Sequence, residues 1–280
     1  MTADWIDSHV HVWAPDRLRY PRVADSAEPA PASFTPEDLL AIARPAGVKR
    51  AVLVQVGFYG ADNRYLADAI QRFPGVFSGI PVLDPESKDA PLELEKGAAA
   101  GMRGFRIPAR IHASGWMASE GMKKMWSRAA ACRLPVSVLL NPDALPAAGR
   151  MCAHFPETPV VIDHMGRIGM DGRIREEDVQ ALCRLAAQPR THVKVSAFYA
   201  LGRKQARYLD LVPLVKRIFE AFGSRRLLWG SDAPGQLLHG HGYADSLEFV
   251  REELDFLSKE DLSWLLGRTA ERLFFSGAPE

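Results

Sequence analysis

The sequence has few cysteines and no long apolar segment. Only three of its 280 residues are cysteine, Cys132, Cys152 and Cys183, an odd number without the spacing of a metal-binding knuckle. This pattern argues for free thiols in a reducing compartment. No stretch approaches the roughly 18 uninterrupted apolar residues of a membrane helix, and the N-terminus lacks the basic and apolar regions of a secretion signal. We therefore expect a cytoplasmic protein without a membrane partner.

The chain also lacks an excess of charge of either sign. Lys and Arg number 35 against 34 for Asp and Glu, which leaves a formal charge of +1. No global field would draw such a protein to nucleic acid, so we expect a small-molecule partner recognised by local charges. At 47% hydrophobic and 25% charged residues the composition is that of an ordinary globular chain. The sequence is compatible with a homo-oligomer but marks no interface.

Short apolar runs alternate with segments of helical periodicity along the whole chain. Eight runs predict strands near residues 5–12, 51–56, 76–82, 102–107, 136–140, 160–164, 193–197 and 227–231. A helix follows each of them, the first capped by Thr35 and Pro36 and the last near residues 259–275. Eight strand and helix pairs predict a distorted (β/α)8 TIM barrel, with residues 1–280 as a single domain. A doubly wound sheet is the competing fold, but it usually has fewer strands.

Histidines end the first predicted strand, in the run Asp7-Ser8-His9-Val10-His11-Val12-Trp13. Side chains two residues apart on a strand point to the same side, so His9 and His11 would both face the interior at the catalytic end of a barrel. Two converging imidazoles can bind a divalent cation or hold a substrate oxygen. A chance H-x-H in a chain with eight histidines is the alternative.

Two later strands also end in polar side chains. Strand 6 runs Val160-Val161-Ile162-Asp163-His164-Met165-Gly166-Arg167, and strand 8 runs Leu227-Leu228-Trp229-Gly230-Ser231-Asp232. Because strand 8 adjoins strand 1 when a barrel closes, Asp232 would lie beside His9 and His11. A satisfied core histidine and a turn aspartate are the structural alternatives.

These segments together resemble the amidohydrolase superfamily, and within it the branch of lactone hydrolases that includes the 2-pyrone-4,6-dicarboxylate lactonases. The resemblance spans nearly the whole chain through D-S-H-V-H-V-W, V-Q-V-G-F-Y-G-A-D-N-R-Y-L, G-M-R-G-F-R, V-I-D-H-M-G-R, V-K-V-S and W-G-S-D-A-P. It implies a hydrolase that opens the lactone ring of a small acidic or polyhydroxylated substrate. Asp232 would be the general base for water, with His9, His11 and His164 as hydrogen-bond donors to the developing oxyanion.

The resemblance also bears on metals and on substrate binding. Metal-dependent members usually add a histidine at the end of strand 5, and the run from Pro135 to Asn141 has none, so we expect no required cofactor. A bound divalent ion such as zinc would use His9, His11 and Asp232. Arg106 and Arg167 match positions where the family grips acidic groups. Tyr59 and Tyr199 follow strands 2 and 7 and could line the pocket.

The sequence departs from the family's pattern at two places, and three other functions remain possible alternatives to lactone hydrolysis. The basic residue that the family places beyond Arg106 reads His112, with Arg110 close by, and W-P-H after the aspartate becomes Ala233-Pro234-Gly235. Both departures suggest a less acidic substrate than the pyrone dicarboxylate. A zinc-dependent decarboxylase, a lactone isomerase and a catalytically silent binder are the competing functions. The loop histidines His239 and His241 receive little weight as substrate contacts.

Overall fold

The computed structural model describes residues 4–24, 26–108 and 119–276. Eight strands lie in this part of the chain, all paired in parallel. They are β1 (Trp5–Val10), β2 (Val48–Val54), β3 (Phe77–Ile80), β4 (Phe105–Ile107), β5 (Val136–Val138), β6 (Val160–Ile162), β7 (Thr191–Ser196) and β8 (Leu227–Gly230). Every strand that the sequence predicts is present, and the α/β class is confirmed.

Helices connect successive strands, as the alternating pattern predicts. They are α1 (Pro36–Ala43), α2 (Arg64–Arg72), α3 (Ala90–Ala99), α4 (Glu120–Cys132), α5 (Leu145–His154), α6 (Glu176–Arg184), α7 (Val212–Phe222), α8 (Gly235–Leu238), α9 (Asp245–Glu248) and α10 (Lys259–Ser263). The last two predicted helices are interrupted, because π-helical turns at Phe249–Glu253, Trp264–Arg268 and Glu271–Phe275 replace regular α-helix. Apolar periodicity does not separate an i→i+5 turn from an α-helical one. No helix in the described ranges is both long and apolar enough to cross a membrane.

The strands form two sheets, with the order β1-β2-β3 in one and β4-β5-β6-β7-β8 in the other. Isolated parallel bridges join the sheets at both edges. Gly79 pairs with Met102 and Val82 with Arg106 at one edge, and Val10 pairs with Ala233 at the other. The second edge places the end of β1 against the segment that follows β8.

The strands are buried on both sides, as helix-covered parallel strands are. The run Val160–Ile162 of β6 is fully buried, and so are Val136 and Val138 of β5. Gly104, just before β4, shows how closely the strands approach. A Cβ atom on it would lie 2.1 Å from the carbonyl oxygen of Pro135, and its φ of +120° also favours glycine. The tightly packed strands form a rigid support for the side chains at their ends.

The start of α1 offers a test of the local signals. Thr35 accepts a hydrogen bond from the Asp38 amide, and the Asp38 carboxylate accepts one from the Thr35 amide, which completes a capping box. We predict that Thr35→Ala lowers the free energy of unfolding in urea by about 1 kcal/mol. Thr35→Ser, which keeps the hydroxyl, should stay within about 0.5 kcal/mol of the parent. Equal losses in both variants would contradict the capping role.

Candidate active site

Three histidines from two strand ends converge on one carboxylate oxygen. Asp232 Oδ1 lies 3.3 Å from His11 Nε2, 3.6 Å from His9 Nε2 and 3.8 Å from His164 Nε2. The His9 ring centroid lies 5.0 Å from that of His11 and 4.3 Å from that of His164. The structure therefore brings together all four residues that the sequence analysis assigned to catalysis.

The imidazoles are held from behind by fixed partners. His11 Nδ1 donates to the carbonyl of Val54 at 2.7 Å, and His164 Nδ1 is hydrogen-bonded to Ser196 Oγ at 2.9 Å. Because a carbonyl oxygen can only accept, the proton of neutral His11 sits on Nδ1, and its Nε2 presents a lone pair toward Asp232. Each ring is thus oriented with Nε2 toward the carboxylate.

Burial keeps two of these imidazoles neutral. Desolvation lowers the pKa of His9 well below its usual value, and the nearby Lys194 and His164 lower it further. Desolvation likewise lowers the pKa of His164 to about 4. Both rings are therefore uncharged at neutral pH, which is the state that ligates metals and accepts protons.

Asp232 stays ionised despite its burial. Desolvation pushes its pKa up, but the surrounding imidazoles of His164, His11 and His9 outweigh that effect, so the pKa lies well below its usual range. The second carboxylate oxygen, Oδ2, accepts a hydrogen bond from the Tyr199 hydroxyl at 2.8 Å. Oδ1 is thereby left as the oxygen that faces the imidazoles.

A second buried carboxylate lies behind His9. Asp163 Oδ1 is 3.1 Å from Lys194 Nζ and 3.5 Å from His9 Nδ1, and it accepts a hydrogen bond from Ser137. Its other oxygen lies 3.3 Å from Arg106 Nε. Desolvation would raise the pKa of Asp163, but Lys194, His9 and Arg106 hold it well below its usual value. This charge-paired group fixes the position of His9.

Lys194 was not predicted as a site residue, although the sequence carries a signal for it. Lys194 lies in the middle of β7 with no exposed surface, and its Nζ is 3.1 Å from His9 Nδ1. A lysine between valines in a strand that is otherwise buried is rare unless its charge is paired. That pattern, together with Ser196 two residues later on the same face, could have identified β7 as a contributor to the site.

Left-handed backbone turns place the functional side chains at the strand ends. The residues directly after β6, β7 and β8 include His164, Ala197 and Asp232, whose φ angles are 52°, 57° and 62°. Such conformations cost a non-glycine residue on the order of 1 kcal/mol each and cluster at functional sites. Two of these residues, His164 and Asp232, meet at the common centre with His164 Nε2 3.8 Å from Asp232 Oδ1.

A cavity of about 460 Å³ opens above this centre. Its lining includes four of the predicted catalytic and substrate-binding side chains besides His11 and Asp232, namely Arg106, His164, Arg167 and Tyr199. Apolar side chains such as Leu139, Met170 and Leu201 complete the wall. The cavity therefore combines a polar floor with cationic and apolar sides, as small-molecule sites do.

The structure does not bring Tyr59 to this cavity. Its hydroxyl accepts a hydrogen bond from the Ala14 amide, and its ring packs against Phe58 and Tyr65. His239, by contrast, lines the cavity and stacks on Tyr199 with centroids 4.9 Å apart. The loop after β8 folds back over the site, which its glycine-rich sequence did not reveal. Arg110 and His112 lie outside the described residues.

Comparisons with known proteins agree with this geometry. The amidohydrolase family model matches residues 6–275. The chain is 30% identical over 241 residues to an L-fucono-1,5-lactonase of Burkholderia ambifaria, covering 84% of this chain and 82% of that one. It is 27% identical over 256 residues to a 2-pyrone-4,6-dicarboxylate hydrolase of Comamonas testosteroni, covering 88% and 82%. An amidohydrolase structure from Burkholderia multivorans with bound zinc has a TM-score of 0.83 at 22% identity, covering 97% of this chain and 99% of that one.

The expectation that no metal is required is wrong. The Burkholderia multivorans neighbour of the same fold holds zinc, and the described residues contain two sets of closely spaced ligand atoms, His9 with His11 and Asp232, and His9 with Asp163 and His164. The absence of a histidine at strand 5 was a misleading signal. That histidine would supply only one ligand, and both sets of ligand atoms form from residues outside strand 5.

The donor atoms fit a divalent ion. His9 Nε2 is fully buried and has no hydrogen-bond partner, and the lone pair of His11 Nε2 faces the carboxylate of Asp232 at 3.3 Å. Acceptors that face one another in this way are satisfied by a cation between them, and neutral imidazole with carboxylate is a common ligand set for zinc. We therefore assign His9, His11 and Asp232 as the residues that would hold the ion.

We predict that the purified protein retains about one equivalent of zinc after dialysis against buffered metal, measured by inductively coupled plasma mass spectrometry. His11→Gln should lower the zinc affinity by about tenfold or more, because it removes a ligand. His154→Gln is the matched control, since His154 lies at the end of α5 and is exposed. Equal zinc content in the two variants would show that the ion binds elsewhere.

Proposed function

This chain belongs to the amidohydrolase family, and we propose that it is a hydrolase that opens the ring of a small lactone. The observation that carries the proposal is the placement of three histidine Nε2 atoms within 3.8 Å of one Asp232 oxygen at the floor of a cavity. The family resemblance drawn from the sequence motifs is confirmed. Relatives named for lactone hydrolysis support the reaction class.

Asp232 accepts the proton of the attacking water. Its Oδ1 faces the open cavity and is ionised at neutral pH, while Tyr199 holds Oδ2 and prevents the carboxylate from rotating. His164 and His11 lie beside that oxygen and line the same cavity. His164, whose Nδ1 can accept from the Ser196 hydroxyl, then carries its proton on Nε2 and is placed to hydrogen-bond the carbonyl oxygen as negative charge develops on it, whereas His11 Nε2 has no proton for such a bond. Asp232 then gives this proton to the ring oxygen as the carbon–oxygen bond breaks, which opens the lactone to a hydroxy acid.

A divalent ion would complement this arrangement. A carboxylate with so low a pKa is a weak base, so the Lewis acidity that a bound ion supplies to the carbonyl would add to the effect of Asp232. His9, His11 and Asp232 are the residues that would hold it. The charge-paired Asp163 and Lys194 behind His9 keep that ligand in place whether or not an ion is bound.

Two guanidinium groups indicate what the substrate carries. Arg106 and Arg167 line the cavity, and no carboxylate among the described residues pairs with Arg167. Desolvation and the nearby Arg106 lower the pKa of Arg167, while Asp232 raises it. Arg106 is itself paired with Asp163 at 3.3 Å. We assign Arg106 and Arg167 to an acidic or polyhydroxylated part of the lactone. Tyr59 has no place in this assignment.

The remaining alternatives share the same site. A decarboxylase or an isomerase would also use the carboxylate and imidazole cluster, and product analysis separates them from a hydrolase. The lactone-hydrolysing relatives favour ring opening over both.

We also propose that the two sheets form the wall of one distorted (β/α)8 barrel in a single domain. The parallel bridges at both edges and the hydrogen bonds from Arg106 N to Pro81 O and from His11 N to Ala233 O support closure. A barrel places the side chains that follow the strands, among them His11, His164 and Asp232, at its carboxyl end.

Removal of the carboxylate charge tests the reaction. We predict that Asp232→Asn lowers kcat by about a hundredfold or more, since it removes the proton acceptor. The assay follows acid release with a pH indicator in weak buffer, with and without added zinc, on sugar lactones, muconolactone-type lactones and pyrone carboxylates. Asp255→Asn, on the exposed surface, is the matched control. Undiminished turnover by Asp232→Asn would contradict the assignment.

Tyr199 and Gly235 test how the carboxylate is oriented. A Cβ atom on Gly235 would lie 2.2 Å from the Tyr199 hydroxyl, so the hydroxyl reaches Asp232 only because residue 235 is glycine. We predict that Tyr199→Phe lowers kcat about tenfold through loss of a hydrogen bond to a charged group. Gly235→Ala should cause a similar loss, and the two losses should not add in the double variant. Fully additive losses would show that the two residues act independently.

A further inference from the structure

A second concave site lies at the other end of the strands. It is a groove of about 870 Å³ beside the beginning of β1, and the π-helical turns near the C-terminus form its opposite wall. Trp5 and Ile6, the first residues of β1, line it, whereas His9 and His11 lie toward the end that carries the candidate active site. We call it the rear groove. Its volume is in the range of small-molecule sites and larger than that of the cavity above Asp232.

The rear groove concentrates positive charge in a protein whose net charge is close to zero. The charge of Arg50 is balanced by an ion pair with Glu271, and the charge of Asp4 is balanced by an ion pair with Lys49 at the rim. Four further lining cations remain, and none of them has a carboxylate partner among the described residues: Arg251, Lys259, Arg268 and Arg272. Because the whole chain carries only +1, this local excess is not a reflection of its composition.

Tryptophans hold the cations in place. The guanidinium of Arg268 lies 4.3 Å above the centroid of Trp264, and that of Arg251 lies 5.0 Å from the centroid of Trp5. Arg272 also contacts Trp264 at 5.8 Å. A guanidinium stacked on an indole keeps its edge N–H groups free for hydrogen bonds, and less side-chain entropy is lost when a ligand binds. The unpaired donors are therefore oriented before any ligand arrives.

We propose that the rear groove binds a small ligand that carries a tripolyphosphate group. Four uncompensated cations match the three to four negative charges of such a group, whereas a dicarboxylate would leave half of them unpaired. A concave pocket also suits a compact ligand better than a membrane surface or a nucleic acid duplex. The partly exposed apolar side chains of Trp5 and Leu262 form an apolar wall that offers a surface for an attached organic part.

Isothermal titration calorimetry at low ionic strength and without magnesium tests the proposal. Inorganic tripolyphosphate and ATP are titrated separately, and tighter binding of ATP would assign the apolar wall to its nucleoside. We expect one site with Kd below about 100 µM, weakened by salt as charge pairing requires. The double variant Arg268→Gln with Arg272→Gln should raise Kd about tenfold or more. Lys259→Gln, on an exposed first helical position, should weaken binding without affecting folding.

A matched control separates local recognition from net charge. Arg150→Gln with Arg184→Gln makes the same change in charge on exposed positions of α5 and α6 outside the rear groove, and Kd should change less than about twofold. Equal loss in the two double variants, or the absence of binding by the parent protein, would overturn the proposal. Citrate binding as tightly as tripolyphosphate would overturn the assigned ligand class. None of these binding measurements depends on lactone hydrolysis.

Discussion

The candidate active site depends on a buried carboxylate that is surrounded by three imidazoles. Asp232 has little exposed surface, yet it stays ionised because His9, His11 and His164 surround one oxygen and Tyr199 donates to the other. An uncompensated charge at this depth would be unstable. Asp232 Oδ1 is therefore already desolvated and oriented before a proton, a substrate oxygen or an ion approaches it.

The surrounding groups compensate for burying this charge. Asp163 and Lys194 form a fully buried pair behind His9, and such pairs are tolerated when further hydrogen bonds satisfy them, as Ser137 and Arg106 do here.

On the other side of His9, Asp7 accepts hydrogen bonds from the amides of His9 and Ser231 and from the Tyr243 hydroxyl, while burial raises its pKa to about 6. Asp7 thus ties β1 to the end of β8, where the two sheets meet.

The strands also relate the two sites that face opposite ends of the fold. β1 begins with Trp5 in the rear groove and carries His9 and His11 toward the candidate active site. In the front cavity Arg106 is paired with Asp163 and Asp232 supplies a further counter-charge, whereas the rear groove keeps an excess of cations among the described residues. The difference is consistent with catalysis at one end and anion binding at the other.

The sequence by itself determined the α/β class, the eight strands and the four polar residues at strand ends, because strand periodicity and turn position are local properties. It could not place Tyr59, which packs under the loop after β1, or identify Lys194, whose burial depends on the neighbours that β7 acquires in the sheet. It misjudged the metal, because ligand atoms are brought within reach by strand pairing and by left-handed turns rather than by spacing along the chain. The rear groove was likewise decided by tertiary structure, since the fold brings Trp5 and Ile6 of β1 beside Trp264 and Arg268, more than 200 residues later in the chain.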